Sequence, residues 1–214
     1  MKNLLETTVL VTAVSVTPSN RVYRLHLVIV GLLRDTETAS APVGLETIRS
    51  FVNTMDVEEG TDKLDSTAGL ARWLAESRLG GEAEPTEQDL GRAVDFREGL
   101  RSLLLANNGV DAGDDAAARL NAALDGASSE VRFQGSSAEI VPTCGNVDGA
   151  LATMALQVHE AMRSGEWDRL KVCPADDCRW AFYDRSRNHS RTWCQMGDCG
   201  NRAKVRAFRA RKTG

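Results

Sequence analysis

The chain has 214 residues, of which 42% are hydrophobic, 26% are charged and 5% are aromatic. These proportions are typical of a soluble globular protein and exclude a disordered chain, and the length allows one ordinary domain with a small appendage. Residues 171–214 carry 11 basic and 4 acidic side chains, whereas residues 1–170 carry 15 and 26. An acidic body with a basic tail predicts a polyanion as the partner of the tail, and nucleic acid is the first candidate.

Residues 1–43 form an N-terminal extension that is either β-rich or lies upstream of the true translation start. The apolar run from Val22 to Leu33 is interrupted by Arg24 and His26, and it is too short and too polar to span a bilayer. The segment also lacks a convincing small-residue cleavage site for secretion. We therefore expect a cytoplasmic protein with no membrane partner.

The first helices are predicted within a domain that spans residues 44–165. Asp65 and Ser66 are N-cap candidates for a helix that Gly80-Gly81 ends. Pro85-Thr86 begins a longer helix that continues to about residue 107, because its apolar residues recur at intervals of three and four.

The second half of this domain contains two further helices and a hairpin. Asp114 is the predicted cap of a helix that ends at Leu124, and another helix covers about residues 148–163. Between them, residues 131–133 and 139–141 flank a Gly-Ser-Ser turn, which predicts a β-hairpin. The fold class is therefore mainly α with a small β-hairpin.

Three polar residues of this domain are candidates for holding a small-molecule effector. Asn53, Thr54 and Asp62 lie at the ends of predicted segments, where they either bind a ligand or cap helices and fix a turn. Arg97 and Arg101 lie on the long helix. They either bind an anion or form ion pairs with the abundant carboxylates.

Four of the five cysteines lie in residues 166–214, which form a separate module. Their spacing is C-x4-C, fifteen residues, then C-x4-C, and the ligands are Cys173, Cys178, Cys194 and Cys199. In a reducing compartment, clustered cysteines bind metal more often than they form disulfides. Four thiolates suit one tetrahedral zinc ion, which would stabilise a segment too small to fold unaided. The alternatives are two disulfides or four buried thiols.

The metal is predicted to be structural rather than catalytic, because four protein ligands leave no open position for water. His189 could replace one cysteine, but it lies in a polar loop. Residues 180–183 form a predicted strand beside the metal, and residues 200–212 form a helix that begins at the last ligand. A knuckle, a hairpin and a helix are the layout of a treble-clef finger.

The predicted terminal helix carries a basic stripe. Arg202, Arg206 and Arg209 fall within about 60° of one another on a helical wheel, whereas Val205 and Phe208 form a patch that can pack. Guanidinium groups bind phosphates in a bidentate manner. The predicted nucleic-acid contacts are six arginines of the helix and of the preceding loop: Arg185, Arg187, Arg191, Arg202, Arg206 and Arg209. The alternative is a solvated helix face.

These residues resemble a known family. Cys199-Gly200-Asn201-Arg202 reads CGNR, and residues 173–211 are similar to the CGNR zinc finger. In that family the finger follows a helical domain called ABATE, to which residues 44–142 are similar in the motif Phe51-Val52-Asn53-Thr54. The resemblance implies a stress-responsive transcription regulator. No counterpart to residues 1–43 is identified.

The leading hypothesis is a zinc-dependent, DNA-binding transcription regulator with an N-terminal sensing or interaction domain. One alternative is an RNA-binding protein that stacks bases on Trp180, Tyr183 or Trp193. Another is a protein-interaction or dimerisation module, and a homodimer is among the candidate assemblies. We expect no enzymatic activity, because the sequence contains no nucleophile–base signature and no phosphate loop.

Overall fold

The computed structural model describes residues 41–79, 84–111, 113 and 115–213. The expectations for residues 1–40, for the stop at Gly80-Gly81 and for the cap at Asp114 lie outside the described residues. In the ranges that the structure describes, no helix is long and apolar enough to cross a membrane.

The first part of the chain forms two short helices around a small hairpin. Helix α1 is Val43–Val52, strands β1 (Met55–Asp56) and β2 (Thr61–Asp62) pair antiparallel, and helix α2 is Thr67–Glu76. The cap predicted at Ser66 is confirmed, because its hydroxyl accepts a hydrogen bond from the Gly69 N–H at 3.1 Å. Helix α1 and the β1–β2 hairpin were not predicted from the sequence.

Helix α3 (Glu87–Ala106) is the long helix at the centre of the fold. Thr86 begins it with a capping box, in which the Thr86 hydroxyl accepts from the Asp89 N–H and the Asp89 carboxylate accepts from the Thr86 N–H. Helix α4 (Ala116–Ala123) packs beside it.

The predicted hairpin consists of β3 (Ser129–Gln134) and β4 (Ser137–Pro142). Its apolar residues Val131, Phe133 and Ile140 are exposed. Helix α5 (Val147–Ser164) follows and lies against α1. These elements confirm a mainly helical domain with a small hairpin.

The last part of the chain folds as a hairpin and a helix. Strands β5 (Leu170–Val172) and β6 (Ala181–Tyr183) pair antiparallel. A π-helical turn over Met196–Gly200 leads into helix α6 (Asn201–Thr213). This order confirms the predicted small zinc-finger layout.

The β5–β6 hairpin belongs to the main hydrophobic core. Leu170, Val172 and Ala181 are completely buried and lie in the same cluster as Phe51 of α1 and Leu100 of α3. A second, smaller cluster surrounds the four cysteines. The helical domain and the cysteine module therefore share a core, and loss of one side exposes apolar surface of the other.

Asparagine side chains fasten the helical domain to the backbone of the module. Asn53 Nδ2 donates to the Ala181 carbonyl at 2.9 Å, and the Ala181 N–H donates to Asn53 Oδ1 at 2.7 Å. Asn108 Nδ2 donates to the carbonyls of Val172 and Thr192 at 2.9 and 2.7 Å. These bonds fix the position of the hairpin on which the metal site is built.

Candidate metal centre and basic surface

The four cysteines are brought together by three structural elements. Cys173 and Cys178 lie in the loop that connects β5 to β6, Cys194 precedes the π-helical turn, and Cys199 lies within it. All four are buried, and their sulfur atoms lie within 4.8 Å of one another. The sequence prediction grouped the same four residues.

The geometry of the sulfurs fits one zinc ion. Cys178 Sγ lies 3.5 Å from Cys194 Sγ, which lies 3.7 Å from Cys199 Sγ. Zinc–sulfur bonds of about 2.3 Å in a tetrahedron place the sulfurs at about 3.8 Å. All four thiols are free rather than disulfide-bonded. The cluster therefore holds one structural zinc ion, with four protein ligands and no open position.

Hydrogen bonds among the four cysteines shift the pKa values of their thiols. Hydrogen bonds from Cys178 and Cys194 lower the pKa of the Cys173 thiol. The hydrogen bonds to Cys173 raise the pKa values of Cys178 and Cys194. Because zinc binds thiolates, its binding displaces the protons that these two residues retain.

Each residue of the CGNR motif has a separate structural role. Cys199 is a ligand, and a Cβ on Gly200 would lie 2.5 Å from Met196 Sδ and 3.2 Å from Trp193 Cδ1, so a larger residue here requires the Met196 side chain to shift. Asn201 Nδ2 donates to the Gly197 carbonyl at 2.8 Å and so closes the π-helical turn. Arg202 Nη2 lies 3.3 Å from Cys199 Sγ, where it donates to the ligand sulfur. The motif therefore builds the last ligand position and the beginning of α6.

Arg202, predicted as a nucleic-acid contact, is instead surrounded by carboxylates of the chain itself. Its Nη1 lies 3.1 Å from Glu58 Oε1, and Asp198 and Asp177 lie within 3.6 and 3.8 Å. Partial burial disfavours the charged guanidinium, but Cys199 and Asp198 outweigh it and raise the pKa of Arg202. The helical wheel could not show these groups, because they come from other parts of the chain. Arg202 is held between the metal site and the β1–β2 turn.

Arg191 is also engaged within the module. Its guanidinium lies 5.2 Å from the centre of the Phe182 ring and donates to the carbonyls of Trp193 and Cys194. Nearby, the buried Lys171 ammonium contacts Asp184 Oδ2 at 2.9 Å. These contacts hold the loop before the second cysteine pair.

The other predicted arginines lie on the surface. Arg185 and Arg187 are exposed in the loop, and Arg206 and Arg209 are exposed on α6. Arg206 Nη2 lies 3.7 Å from Asp177 Oδ1, although its side chain remains 56% exposed. Helix α6 adds three further exposed basic residues that the sequence prediction did not single out: Lys204, Arg211 and Lys212.

Helix α6 projects from the rest of the molecule. Every residue from Lys204 to Lys212 is exposed, and the expectation that Val205 and Phe208 pack is wrong, since they are 47% and 56% exposed. The helix contains six basic and no acidic residues. Its N-terminal turn is fixed by the metal site, whereas its remaining length is accessible from all sides.

The three polar residues predicted as ligand contacts take part in internal bonds. Asn53 pairs with Ala181, and the Thr54 hydroxyl donates to the Phe51 carbonyl at 2.7 Å. Asp62 Oδ1 accepts from the Leu64 N–H and from Arg97 Nη1. Asn53 and Thr54 are buried, whereas Asp62 lines a cleft.

Two comparisons with known families match this architecture. The ABATE family model, described as "Putative stress-induced transcription regulator", matches residues 47–165. The CGNR zinc finger model matches residues 169–212. No curated protein matches the chain.

Proposed function

Because the chain belongs to the ABATE family and ends in a CGNR zinc finger, we propose that it is a DNA-binding transcription regulator whose helix α6 contacts the phosphate backbone. Zinc holds the first turn of α6 and leaves the remainder projecting. One observation carries the proposal: a projecting helix with six basic and no acidic residues. The basic side chains of such a helix repel one another and attract a polyanion.

An α-helix fits the major groove of duplex DNA, which favours DNA as the polyanion. The major groove of B-DNA admits an α-helix, whereas the major groove of duplex RNA is too narrow for side chains to read. Exposure of α6 from Lys204 to Lys212 lets both groove walls approach it. Arg185 and Arg187, in the loop before the second cysteine pair, are also exposed and supply further positive charge.

The structure gives less support to an RNA-binding role. Base stacking requires an exposed aromatic face, but Tyr183 is 6% exposed. Trp180 and Trp193 are partly buried against the cysteine cluster. The tryptophans and Tyr183 therefore stabilise the module, and α6 remains as the contact surface.

The proposed role is regulatory rather than enzymatic, in the cytoplasm. A zinc ion with four cysteine ligands does not activate water. We assign the sensing role to the ABATE domain, because its hydrophobic core includes the β5–β6 hairpin of the finger.

Salt-dependent binding of the zinc-loaded chain to duplex DNA tests the proposal. We expect log Kd to rise with log salt, and Arg206→Gln/Arg209→Gln to lower the magnitude of that slope by about two, one for each lost phosphate contact. Arg119→Gln/Arg163→Gln is the matched control, because these arginines lie on α4 and α5. Equal slopes for both double variants, or tighter binding to RNA than to DNA, would refute the proposal.

A further inference from the structure

The β3–β4 hairpin has an apolar face that the rest of the described chain leaves exposed. Val131 lies opposite Ile140 and Phe133 lies opposite Ala138, and directly opposed residues point to the same side of a sheet. Val131, Phe133 and Ile140 are 56%, 80% and 52% exposed. An isolated hairpin of two strands is marginally stable in water, whereas three or more strands with an apolar face are stable. The exposed face therefore indicates that the hairpin gains stability from a further strand.

Strand β3 is the open edge of this hairpin. In the ranges that the structure describes, β3 pairs with β4 alone, whereas β4 also lies against α5. Next to the strands, the Thr143 N–H donates to the Ser128 carbonyl at 3.0 Å. Because hydrogen-bonded and non-hydrogen-bonded pairs alternate in an antiparallel ladder, Ser129, Val131 and Phe133 point their N–H and C=O groups away from β4. An unpaired edge of this kind can accept another strand.

The charges on the other face of β3 are complementary to themselves. Glu130 and Arg132 flank Val131, and their side chains contact each other at 2.6 Å while remaining 47% and 61% exposed. When two β3 strands pair antiparallel about a two-fold axis at Val131, Glu130 of each copy lies opposite Arg132 of the other. Opposite charges in opposed positions stabilise a sheet, and like charges destabilise it. The charge pattern therefore fits a second β3 strand.

The same register satisfies the backbone of the open edge. Val131 of each copy exchanges hydrogen bonds with Val131 of the other, and Ser129 of each copy exchanges them with Phe133 of the other. The two hairpins then form one four-stranded antiparallel sheet that carries the apolar residues of both copies on one face. Pairing through β4 about Ile140 lacks this match, because it places Glu139 opposite Val141.

We propose that the partner of the hairpin is a second copy of this chain, which pairs through β3 in this register to form a two-fold dimer. The self-complementary charges favour a copy of the same strand over an unrelated strand. Because β3 has six residues, the paired edge is short and the dimer is weak. A two-fold dimer carries two α6 helices and so contacts DNA twice. That consequence rests on the proposed function, whereas the dimer itself does not.

Charge reversal combined with sedimentation velocity tests the dimer. The zinc-loaded full chain is measured without DNA over a range of concentrations, and wild type should change from monomer toward dimer as the concentration rises. Glu130→Arg opposes arginines across the two-fold axis, and Arg132→Glu opposes glutamates. Each variant should weaken dimerisation about 10-fold or more. Glu160→Arg and Arg163→Glu make the same charge changes in an exposed ion pair of α5, and both should dimerise as wild type does.

Complementation between the two reversed chains tests the register. An equal mixture of Glu130→Arg and Arg132→Glu restores opposite charges at both opposed positions, so the mixture should dimerise although neither variant does so alone. The double variant Glu130→Arg/Arg132→Glu should also dimerise. Both positions are exposed, so the zinc content and thermal unfolding of every variant should match wild type. Three results would overturn the proposal: a monomer at every concentration, a dimer that neither reversal weakens, or a mixture that stays monomeric.

Discussion

Arg202 Nη1 lies 3.1 Å from Glu58 Oε1, although 144 residues separate the two in the chain. The same guanidinium donates to the sulfur of the zinc ligand Cys199 at 3.3 Å. One side chain therefore joins the metal site, the beginning of α6 and the β1–β2 turn of the ABATE domain. Arg202 is partly buried, whereas Arg206 and Arg209 lie farther along the helix and are exposed.

Replacing Arg202 should affect zinc more than replacing its neighbours on the helix. Arg202→Gln removes the donor to Cys199 Sγ and leaves Glu58 without this partner. Loss of an outer-shell contact typically lowers metal affinity about 10- to 100-fold, and we expect a decrease in that range. Competition with a chromophoric chelator measures it.

Arg206→Gln is the matched control, since its nearest carboxylate in the structure is Asp177 at 3.7 Å rather than a ligand. It should retain wild-type zinc affinity while weakening DNA binding. Equal zinc affinity in the Arg202 and Arg206 variants would show that the contact to Cys199 does not stabilise the site.

Removing zinc should destabilise the whole described fold in one transition. The β5–β6 hairpin contributes Leu170, Val172 and Ala181 to the shared core, so an unfolded finger leaves that core incomplete. Structural zinc binding contributes about 10 kcal/mol or more in finger peptides, which is comparable to the total stability of a domain. Calorimetry with and without chelator should show a single transition that moves to lower temperature. Two transitions, one of them insensitive to chelator, would contradict a shared core.

Zinc binding should release protons. The raised pKa values of Cys178 and Cys194 mean that both residues retain protons at neutral pH when metal is removed. Each proton must leave as zinc binds, so the apparent affinity should increase with pH. Titration calorimetry in buffers of different ionisation enthalpy counts the released protons. A binding enthalpy that is independent of the buffer would disprove this coupling.

Asp184→Asn should destabilise the finger loop. Asp184 is fully buried, and its carboxylate accepts from Lys171 and from the Ser186 and Arg191 N–H groups at 2.8 to 2.9 Å. The substitution leaves Lys171 buried without its counter-charge, which should cost about 3–5 kcal/mol. Urea unfolding measures the loss, and the exposed Asp168→Asn is the control.

The stabilisation by the Lys171–Asp184 ion pair should depend on pH through the Asp184 carboxyl group. Burial favours the neutral form, but hydrogen bonds from Ser186 and Lys171 outweigh it and lower its pKa to about 2. The unfolded value is about 3.9, so the stabilisation is complete above about pH 4 and is lost as the pH falls to about 2. The difference between wild type and Asp184→Asn should shrink across that interval. A constant difference would argue against a charged Asp184.

Local sequence signals predicted the parts of the fold that depend on local chemistry. The spacing of the four cysteines identified a metal site, because two close cysteine pairs on a short segment more often bind a metal than form disulfides. Apolar periodicity and the cap at Thr86 identified α3, since both lie within one segment. The β1–β2 hairpin escaped prediction, because strands of two residues are too short to show an alternating pattern.

Long-range polar contacts could not be predicted in the same way. Asn53 bonds to Ala181 across 128 residues, and no pattern near Asn53 distinguishes this bond from ligand binding. A helical wheel placed Arg202 and Arg206 on one stripe. The carboxylates of Glu58 and Asp177, which approach from other segments, then give the two arginines different environments.

Site-specific photo-crosslinking tests most directly whether α6 is the surface that contacts DNA. A benzophenone side chain replaces either Phe208 on α6 or Phe133 on the β3–β4 hairpin, two exposed positions that are 56% and 80% accessible. The zinc-loaded protein is irradiated with duplex DNA at physiological salt. If α6 contacts DNA, position 208 should give a DNA adduct that high salt abolishes, and position 133 should give none. Adducts from position 133 alone would contradict that contact.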